Sequence, residues 1–434
     1  MMPEARENSQ KHIAVFTFPF ATHAAPLLSL VRKLSESTPD VKFYFFSTAK
    51  SNRLLFYKDD DFERVKPRSI NTGLPEGYMP TRSNGSLFYK DDDFERVKPR
   101  SVNTGLPEGY MPTRVLPQEP VEYFLKTTPG NFKRAPLIDW FVLFHCTGLE
   151  EQTVDFLPGF STIRAMDVPE GIISRSLDCP FATLMNKMGQ MLPYASAIAI
   201  NSFEEIDPIV VQTLKSRLSN FLNIGPFILR SPPTSDSDIY GIFDWLDQRP
   251  RSSVVYISFG NVITPPPHEL EALAEALKAC KFPFLLSFRG NVEEKFPKGF
   301  LERTRKKGLI VPWAPQLKIM AHPSVAVFVT HCGWNSVSES IIGGVPMICR
   351  PYFAEQKLNQ RTVEHVWGFG IEVEGGKFTK NGAIKALQVI LSSKKGKLMR
   401  KKIGVLKQLA FKAIDTDGSS TTNFNFLVDF ISKR

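Results

Sequence analysis

Cysteine is scarce in this 434-residue chain, and long apolar runs are missing. The five cysteines, Cys146, Cys179, Cys280, Cys332 and Cys349, form an odd set with no spacing suited to a zinc site. That excludes a disulfide-stapled secreted scaffold and points to a reducing compartment. The first eleven residues, MMPEARENSQK, are polar, and the apolar stretch behind them is broken by Pro19, Thr22, His23 and Pro26. Neither a signal h-region nor a bilayer-spanning helix is predicted there. Carboxylates are also in short supply, 44 against 54 lysines and arginines, for a net charge of +10. Much of the excess lies in Lys394, Lys395, Lys397, Arg400, Lys401, Lys402, Lys407 and Lys412. Such a run reads as a solvated helix face, and no aromatic stacking pattern accompanies it, so a nucleic-acid partner is not expected.

What is present is globular material. Hydrophobic residues make up 42% and aromatics 12% of the chain, enough for packed cores. The length calls for two or three domains. One feature is repeated: residues 51–82 and 83–114 align without gaps and differ only at Arg53/Gly85, Leu54/Ser86 and Ile70/Val102. Two copies do not make a solenoid, so the pair reads as a tandem duplication. Each copy is charged, rich in turn residues and poor in apolar periodicity, which predicts a surface loop. Each also carries three adjacent aspartates, Asp59 to Asp61 and Asp91 to Asp93. An Asp-x-Asp pair can hold a divalent metal, but such pairs normally close a strand, and these do not. No metal is expected.

Outside the repeat, strands and helices alternate. Strands are predicted over 12–20, 41–48, 197–203 and 221–229, and a helix over 25–36. The polar, Pro- and Ser-rich stretch 230–238 reads as a linker. Beyond it the alternation becomes regular, with strands at 253–260, 324–333 and 345–351 and a helix at 268–280. Continuous apolar strands between helices indicate parallel sheets covered on both faces. The expected architecture is α/β, with two doubly wound Rossmann-like domains facing a cleft. Residues 1–229 form the first, 239–415 the second, and 416–434 a C-terminal helix. Ligands of such folds gather at the C-terminal ends of the strands.

The most informative segment is 313–356, WAPQLKIMAHPSVAVFVTHCGWNSVSESIIGGVPMICRPYFAEQ. A strand ends at Thr330, and the turn HCGW leads into a helix opening with Asn335 and Ser336, both good N-cap residues. A helix N-terminus offers N–H groups and partial positive charge to a phosphate. Gly333 lets the backbone come close, and His331 can donate to the same anion. Glu339 follows Asn335 by four residues and Ser336 by three, so the three share a face. A carboxylate there suits ribose hydroxyls. Trp313 closes a strand and could stack on a base, and Glu355 and Gln356 could bind sugar hydroxyls.

Taken together, these residues resemble the UDP-sugar box of plant secondary-product glycosyltransferases, and 313–356 matches it from Trp-Ala-Pro-Gln to the terminal acidic residue and Gln. The stretches FPFATHAAPLL (17–27), FLKTTPGNF (124–132), DFLPGFSTIRAMDVPEGI (155–172), VVYISFGNVITPPPHEL (254–270) and GSSTTNFNFLVDFI (418–431) narrow the likeness to flavonoid 3-O-glucosyltransferases. The resemblance implies a GT-B fold whose last helix returns to the N-terminal domain. It also implies transfer of glucose from UDP-glucose, a donor substrate rather than a cofactor, to a flavonol or anthocyanidin 3-hydroxyl with inversion and without metal.

By that resemblance Trp313 stacks on uracil, His331, Asn335 and Ser336 contact the diphosphate, Glu339 takes the ribose, and Glu355 and Gln356 take the sugar. Ala314, Gln316 and Trp334 also belong to the donor-binding set. Two departures stand out. Glu355 replaces the family's usual Asp, and Asn261 follows Gly260 where the family has Thr or Ser. A terminal Gln goes with glucose more often than galactose. His23 matches the general base and Gln118 an acceptor-loop glutamine. The Asp that orients the base belongs to a strand that is missing: after PGNFKRA the chain jumps towards DFLPGF, skipping more than one β-α unit. Asp139 is the nearest substitute. Weakened or absent activity is therefore expected, in a monomeric cytoplasmic protein whose partners are the UDP-sugar and the flavonoid.

Overall fold

The computed structural model describes residues 11–16, 21–47, 52, 65–69, 151–155, 157–169, 189–230, 238, 240–260 and 263–433. The chain divides into two compact units. One comprises Met1–Leu137, Asp178–Leu184 and Phe424–Arg434, the other Ile138–Leu177 and Met185–Asn423. The first therefore takes Phe424–Arg434 at the end of the chain, while residues 416–423 stay with the second. The second takes residues 198–229, which were expected on the N-terminal side of the linker. The reason is packing: Phe203 and Ile206 are buried in one core with Tyr256, Phe328 and Met347.

In the first unit, strand β1 (Lys11–Phe16), helix α1 (Ala21–Ser37) and strand β2 (Val41–Ser47) form a β-α-β unit, β1 and β2 pairing in parallel from Lys11↔Val41 to Phe16↔Phe46. The α1 sequence places Ala24, Leu28, Val31 and Leu34 on one helical stripe, and all four are buried. Phe43 and Phe45 are buried on alternate positions of β2. The helix starts at Ala21 rather than at 25, so His23 lies in its first turn.

The repeat corrects the surface-loop expectation. Val65–Ser69 of the first copy is strand β3, paired in parallel with β2 from Phe43↔Val65 to Ser47↔Ser69. Only Val65 of its five residues is a buried hydrophobic, too little apolar pattern to announce a strand. Among the described strands it stands at the sheet edge, where Pro67 is tolerated because an edge leaves an N–H unneeded. The Asp triplets lie outside the described residues.

The second unit is built on six strands: β6 (Val254–Ser258), β7 (Phe284–Ser287), β8 (Gly308–Val311), β9 (Val325–Thr330), β10 (Met347–Cys349) and β11 (Gly370–Glu372). Their order is β11-β10-β9-β6-β7-β8, and every pairing is parallel. Val254 and Tyr256 face one core, Val255 and Ile257 the other. Helices cover both faces. Helix α2 (Pro267–Ala279) buries Leu270, Leu273 and Leu277 on the second core. Helix α4 (Trp334–Gly343) buries Val337 and Ile341 on the first, beside Ile319 of helix α3 (Gln316–Ala321). Each such side chain contributes about 1.5–3 kcal/mol of apolar burial.

Beside this sheet lies a two-stranded parallel pair, β4 (Ile198–Ile200) and β5 (Phe221–Asn223). The expected strand 221–229 stops at Asn223, and Phe227–Arg230 is a short helix. The predicted linker begins in that helix. Its last residue, Asp238, caps the next one: Oδ1 accepts from the Ile242 N–H at 2.7 Å and Oδ2 from Phe243 at 2.8 Å.

The strand order fixes where a ligand belongs. From β6 the chain steps outward to β7 and β8, then returns to the other side of β6 with β9 and proceeds to β10 and β11. The order therefore reverses between β6 and β9, and loops leave their C-terminal ends in opposite directions. That switch point is where open parallel sheets bind ligands.

Candidate functional site

Ser258 and Thr330 are register partners at the ends of β6 and β9, and the loops just beyond them carry Gly260 and His331. Gly260 has φ +77°, and a Cβ there would stand 2.8 Å from the His331 ring. A Cβ on Gly333 would stand 2.6 Å from His331 Nε2. The imidazole is thus held between two backbones that only glycine allows so close. Its Nδ1 lies 3.3 Å from Thr330 Oγ1, and burial lowers its pKa to about 4. His331 is neutral at physiological pH and acts as a hydrogen-bonding group rather than a charge.

Cys332 takes φ +65°, which turns the chain sharply from β9 into α4. The Asn359 amide ties that turn down, donating from Nδ2 to Cys332 O at 2.9 Å. Gly333 is the N-cap of α4 and no side chain caps the helix. Asn335 and Ser336, read from sequence as caps, are instead the second and third residues of the helix, within its first turn. The helix N-terminus keeps its partial positive charge for an anion. At the other end Gly344 closes the helix with φ +76°, its N–H bonding to Ser340 O and Ile341 O.

Gln316 ties three of the expected donor residues together. Its Nε2 donates to Ser336 Oγ at 3.0 Å and to Glu339 Oε2, and its Oε1 accepts from the Tyr256 hydroxyl at 3.2 Å. Tyr256 is fully buried in β6, its ring stacked on Phe328 at 5.1 Å. The sequence singled out Gln316 and Glu339 but not the tyrosine beneath them, which reads as one more apolar strand residue. Burial pushes the Glu339 carboxyl up to about 7, with the Gln316 hydrogen bond pulling the other way.

The remaining candidates divide. Trp313 follows β8 and is 39% exposed, while its neighbour Ala314 is buried, so a large aromatic face is open beside the Gln316 cluster. The Trp334 indole is engaged within the protein: Nε1 donates to Asn201 O at 2.9 Å, and the ring lies 6.4 Å from Trp367. Glu355 precedes helix α5 (Gln356–Arg361), and Ala354 before it has φ +53°. Gln356 is buried, its Oε1 accepting from the N–H groups of Tyr352 at 2.9 Å and Phe353 at 3.3 Å. The His23 side chain, Asp139, Gln118 and Asn261 lie outside the described residues.

A buried ion pair braces this half of the sheet and was not foreseen. Arg350, just past β10, meets Glu269 of α2 in a two-pronged contact, Nη2 to Oε1 at 2.6 Å and Nε to Oε2 at 2.8 Å. Glu269 also accepts from the Phe378 N–H at 2.9 Å. Burial alone would raise the Glu269 pKa, but the hydrogen bonds from Arg350 and Phe378 outweigh it and hold the carboxyl below its ordinary value. Among the described residues no cluster of three or more His, Cys, Asp or Glu is placed to hold a metal, and no helix is long and apolar enough to cross a membrane.

The sequence model of the family described as "UDP-glucoronosyl and UDP-glucosyl transferase" matches residues 242–408. The chain is 45% identical to a flavonoid 3-O-glucosyltransferase of Medicago truncatula, over 99% of this chain and 98% of that one. This chain belongs to the UDP-glycosyltransferase family. It is also 39% identical to an anthocyanidin 3-O-galactosyltransferase of Actinidia chinensis var. chinensis, over 98% of each chain. A crystal structure of a UDP-glucose:anthocyanidin 3-O-glucosyltransferase in complex with UDP matches with a TM-score of 0.80 and 33% identity, over 98% of this chain and all of that one. As a UDP-glycosyltransferase the chain has the GT-B fold. The Medicago alignment spans 483 positions against 434 residues here, so this glycosyltransferase lacks residues that its relative has.

Proposed function

We propose that the chain transfers glucose from UDP-glucose to the 3-hydroxyl of a flavonol or anthocyanidin. The observation that carries this reading is the Gln316–Ser336–Glu339 cluster beside the uncapped N-terminus of α4. It offers a ribose-binding carboxylate and a phosphate-binding helix end together. The acceptor follows from the names of the relatives. Exposed Trp313 provides a face for uracil. His331 and the first N–H groups of α4 take the diphosphate, and their fixed dipoles stabilise UDP as it leaves. Glu355 and Gln356 take the sugar, Gln356 through the part of its amide not used by its own loop.

In this mechanism His23 removes the proton of the attacking hydroxyl, a role worth roughly 10²–10⁴ in rate. The hydroxyl oxygen attacks the anomeric carbon opposite to UDP, so the glycoside forms with inversion and without metal. Asp139 is the substitute for the group that orients the base, and Gln118 contacts the acceptor. The chain works as a monomer in the cytoplasm.

A second reading has its own observation. Because the chain lacks residues that its relative has, it binds UDP-sugar without transferring it. Calorimetry with UDP and a transfer assay with UDP-glucose and quercetin separate the two. Binding with glucoside formation supports the first reading, and binding without it the second. No UDP binding rules out both.

A further inference from the structure

Helix α6 (Lys394–Ile414) carries eight lysines and arginines and no aspartate or glutamate. Its inner face is ordinary core: Ile403, Ala410 and Ala413 are fully buried against the sheet, and Met399 faces the other cluster. Its outer face is not ordinary solvent-facing surface. Leu398 is 53% exposed and Val405 49% exposed. At a hundred degrees per residue the two lie one above the other on the exposed side of the helix, next to Lys394, Lys401 and Lys412. Lys394, Lys397, Lys401 and Lys412 surround them and are exposed. Among the described residues none of these four lysines forms an ion pair. A purely solvated helix face would keep leucine and valine inside, whereas here both are exposed among the lysines.

We propose that this face docks onto an anionic phospholipid surface. The combination fits lipid chemistry on two counts. Basic groups attract the negative headgroups, and the long lysine stems let their ammonium groups reach outward past apolar neighbours. Leu398 and Val405 then enter the boundary between headgroups and acyl chains, as the apolar side of an interfacial helix does. A nucleic acid would use the charge but leave the exposed apolar pair without a partner. The helix lies flat and remains part of the folded unit, and the docking is independent of the transfer reaction.

The test is sedimentation of the full-length protein with vesicles at low salt. One set is phosphatidylcholine alone, the other contains about one part in three phosphatidylserine. The wild type should sediment with the second set only, and high salt should release it. The double variant Lys397→Glu/Lys401→Glu should lose about tenfold or more of this binding. Leu398→Gln/Val405→Gln, which keeps every charge, should lose several-fold. Lys298→Glu/Lys306→Glu changes the same net charge on other exposed residues and should bind as the wild type does. Equal loss in that control, undiminished binding of the Leu398/Val405 variant, or no binding of the wild type would each overturn the proposal. Unfolding midpoints measured for every variant identify any that fails to fold.

Discussion

Gln316 Nε2 donates to Ser336 Oγ at 3.0 Å, joining the first residue of one helix to the first turn of another. Through the same amide Glu339 is held in place, and through its other end Gln316 is held by Tyr256. Replacing Gln316 with alanine should therefore loosen three groups at once and weaken UDP binding by about ten- to a hundredfold, since hydrogen bonds to charged groups are worth about 1.5–3 kcal/mol. Tyr256→Phe removes only the lower support and should cost about 1 kcal/mol in the same titration. Equal effects of the two variants would show that the tyrosine is more than a prop.

The raised pKa of Glu339 sets a pH dependence. With the carboxyl titrating at about 7, ribose hydroxyls that donate to it favour the ionised form. UDP affinity should increase as the pH rises from about 6 to 8, and Glu339→Gln should bind more weakly with a flat profile. For stability alone the sign is opposite. A carboxyl whose folded pKa lies above its unfolded value favours the native state below the unfolded pKa and loses that contribution as pH rises towards 7. His331, held at about 4, acts in the other direction, favouring the native state above its unfolded value of 6.5 and losing that contribution as pH falls. Denaturation of the single variants across this range should show the two slopes separately.

Gly260→Ala should abolish UDP binding while leaving the chain folded. The substitution strains a backbone at φ +77° and drives a methyl group into the His331 ring. Positive φ costs a non-glycine residue on the order of 1 kcal/mol, so the loss of binding should exceed the loss of stability. A fully folded variant with wild-type affinity would show that His331 does not meet the diphosphate.

Glu269→Ala should destabilise the second unit by about 3–5 kcal/mol, because it leaves the Arg350 guanidinium buried without its partner. Glu269→Ala/Arg350→Met should recover much of that loss. Urea unfolding of the three proteins checks it, and a milder single variant would mean that water reaches Arg350.

Much of this organisation was legible in the residues. Continuous apolar stretches such as Val325–Thr330 announced a parallel sheet, and the spacing of Ser336 and Glu339 announced that the two share a helix face, where Gln316 meets both. What stayed hidden depends on contacts distant in sequence. Tyr256 reaches Gln316 across sixty positions, and Arg350 reaches Glu269 across eighty-one; no local pattern encodes either. Strand β3 escaped notice because Val65 alone supplies its apolar face. The packing of 198–229 with the second unit was missed because a polar linker is a weaker guide than the buried side chains of Phe203 and Ile206.

The measurement closest to the central claim is a transfer assay: the purified full-length chain with UDP-glucose and quercetin or cyanidin, products separated and the linkage read by NMR. The account expects a 3-O-glucoside with inverted, β-configured linkage, and its loss in both His23→Ala and Glu339→Ala. Binding of UDP without any glucoside would contradict it, as would a product with the retained configuration.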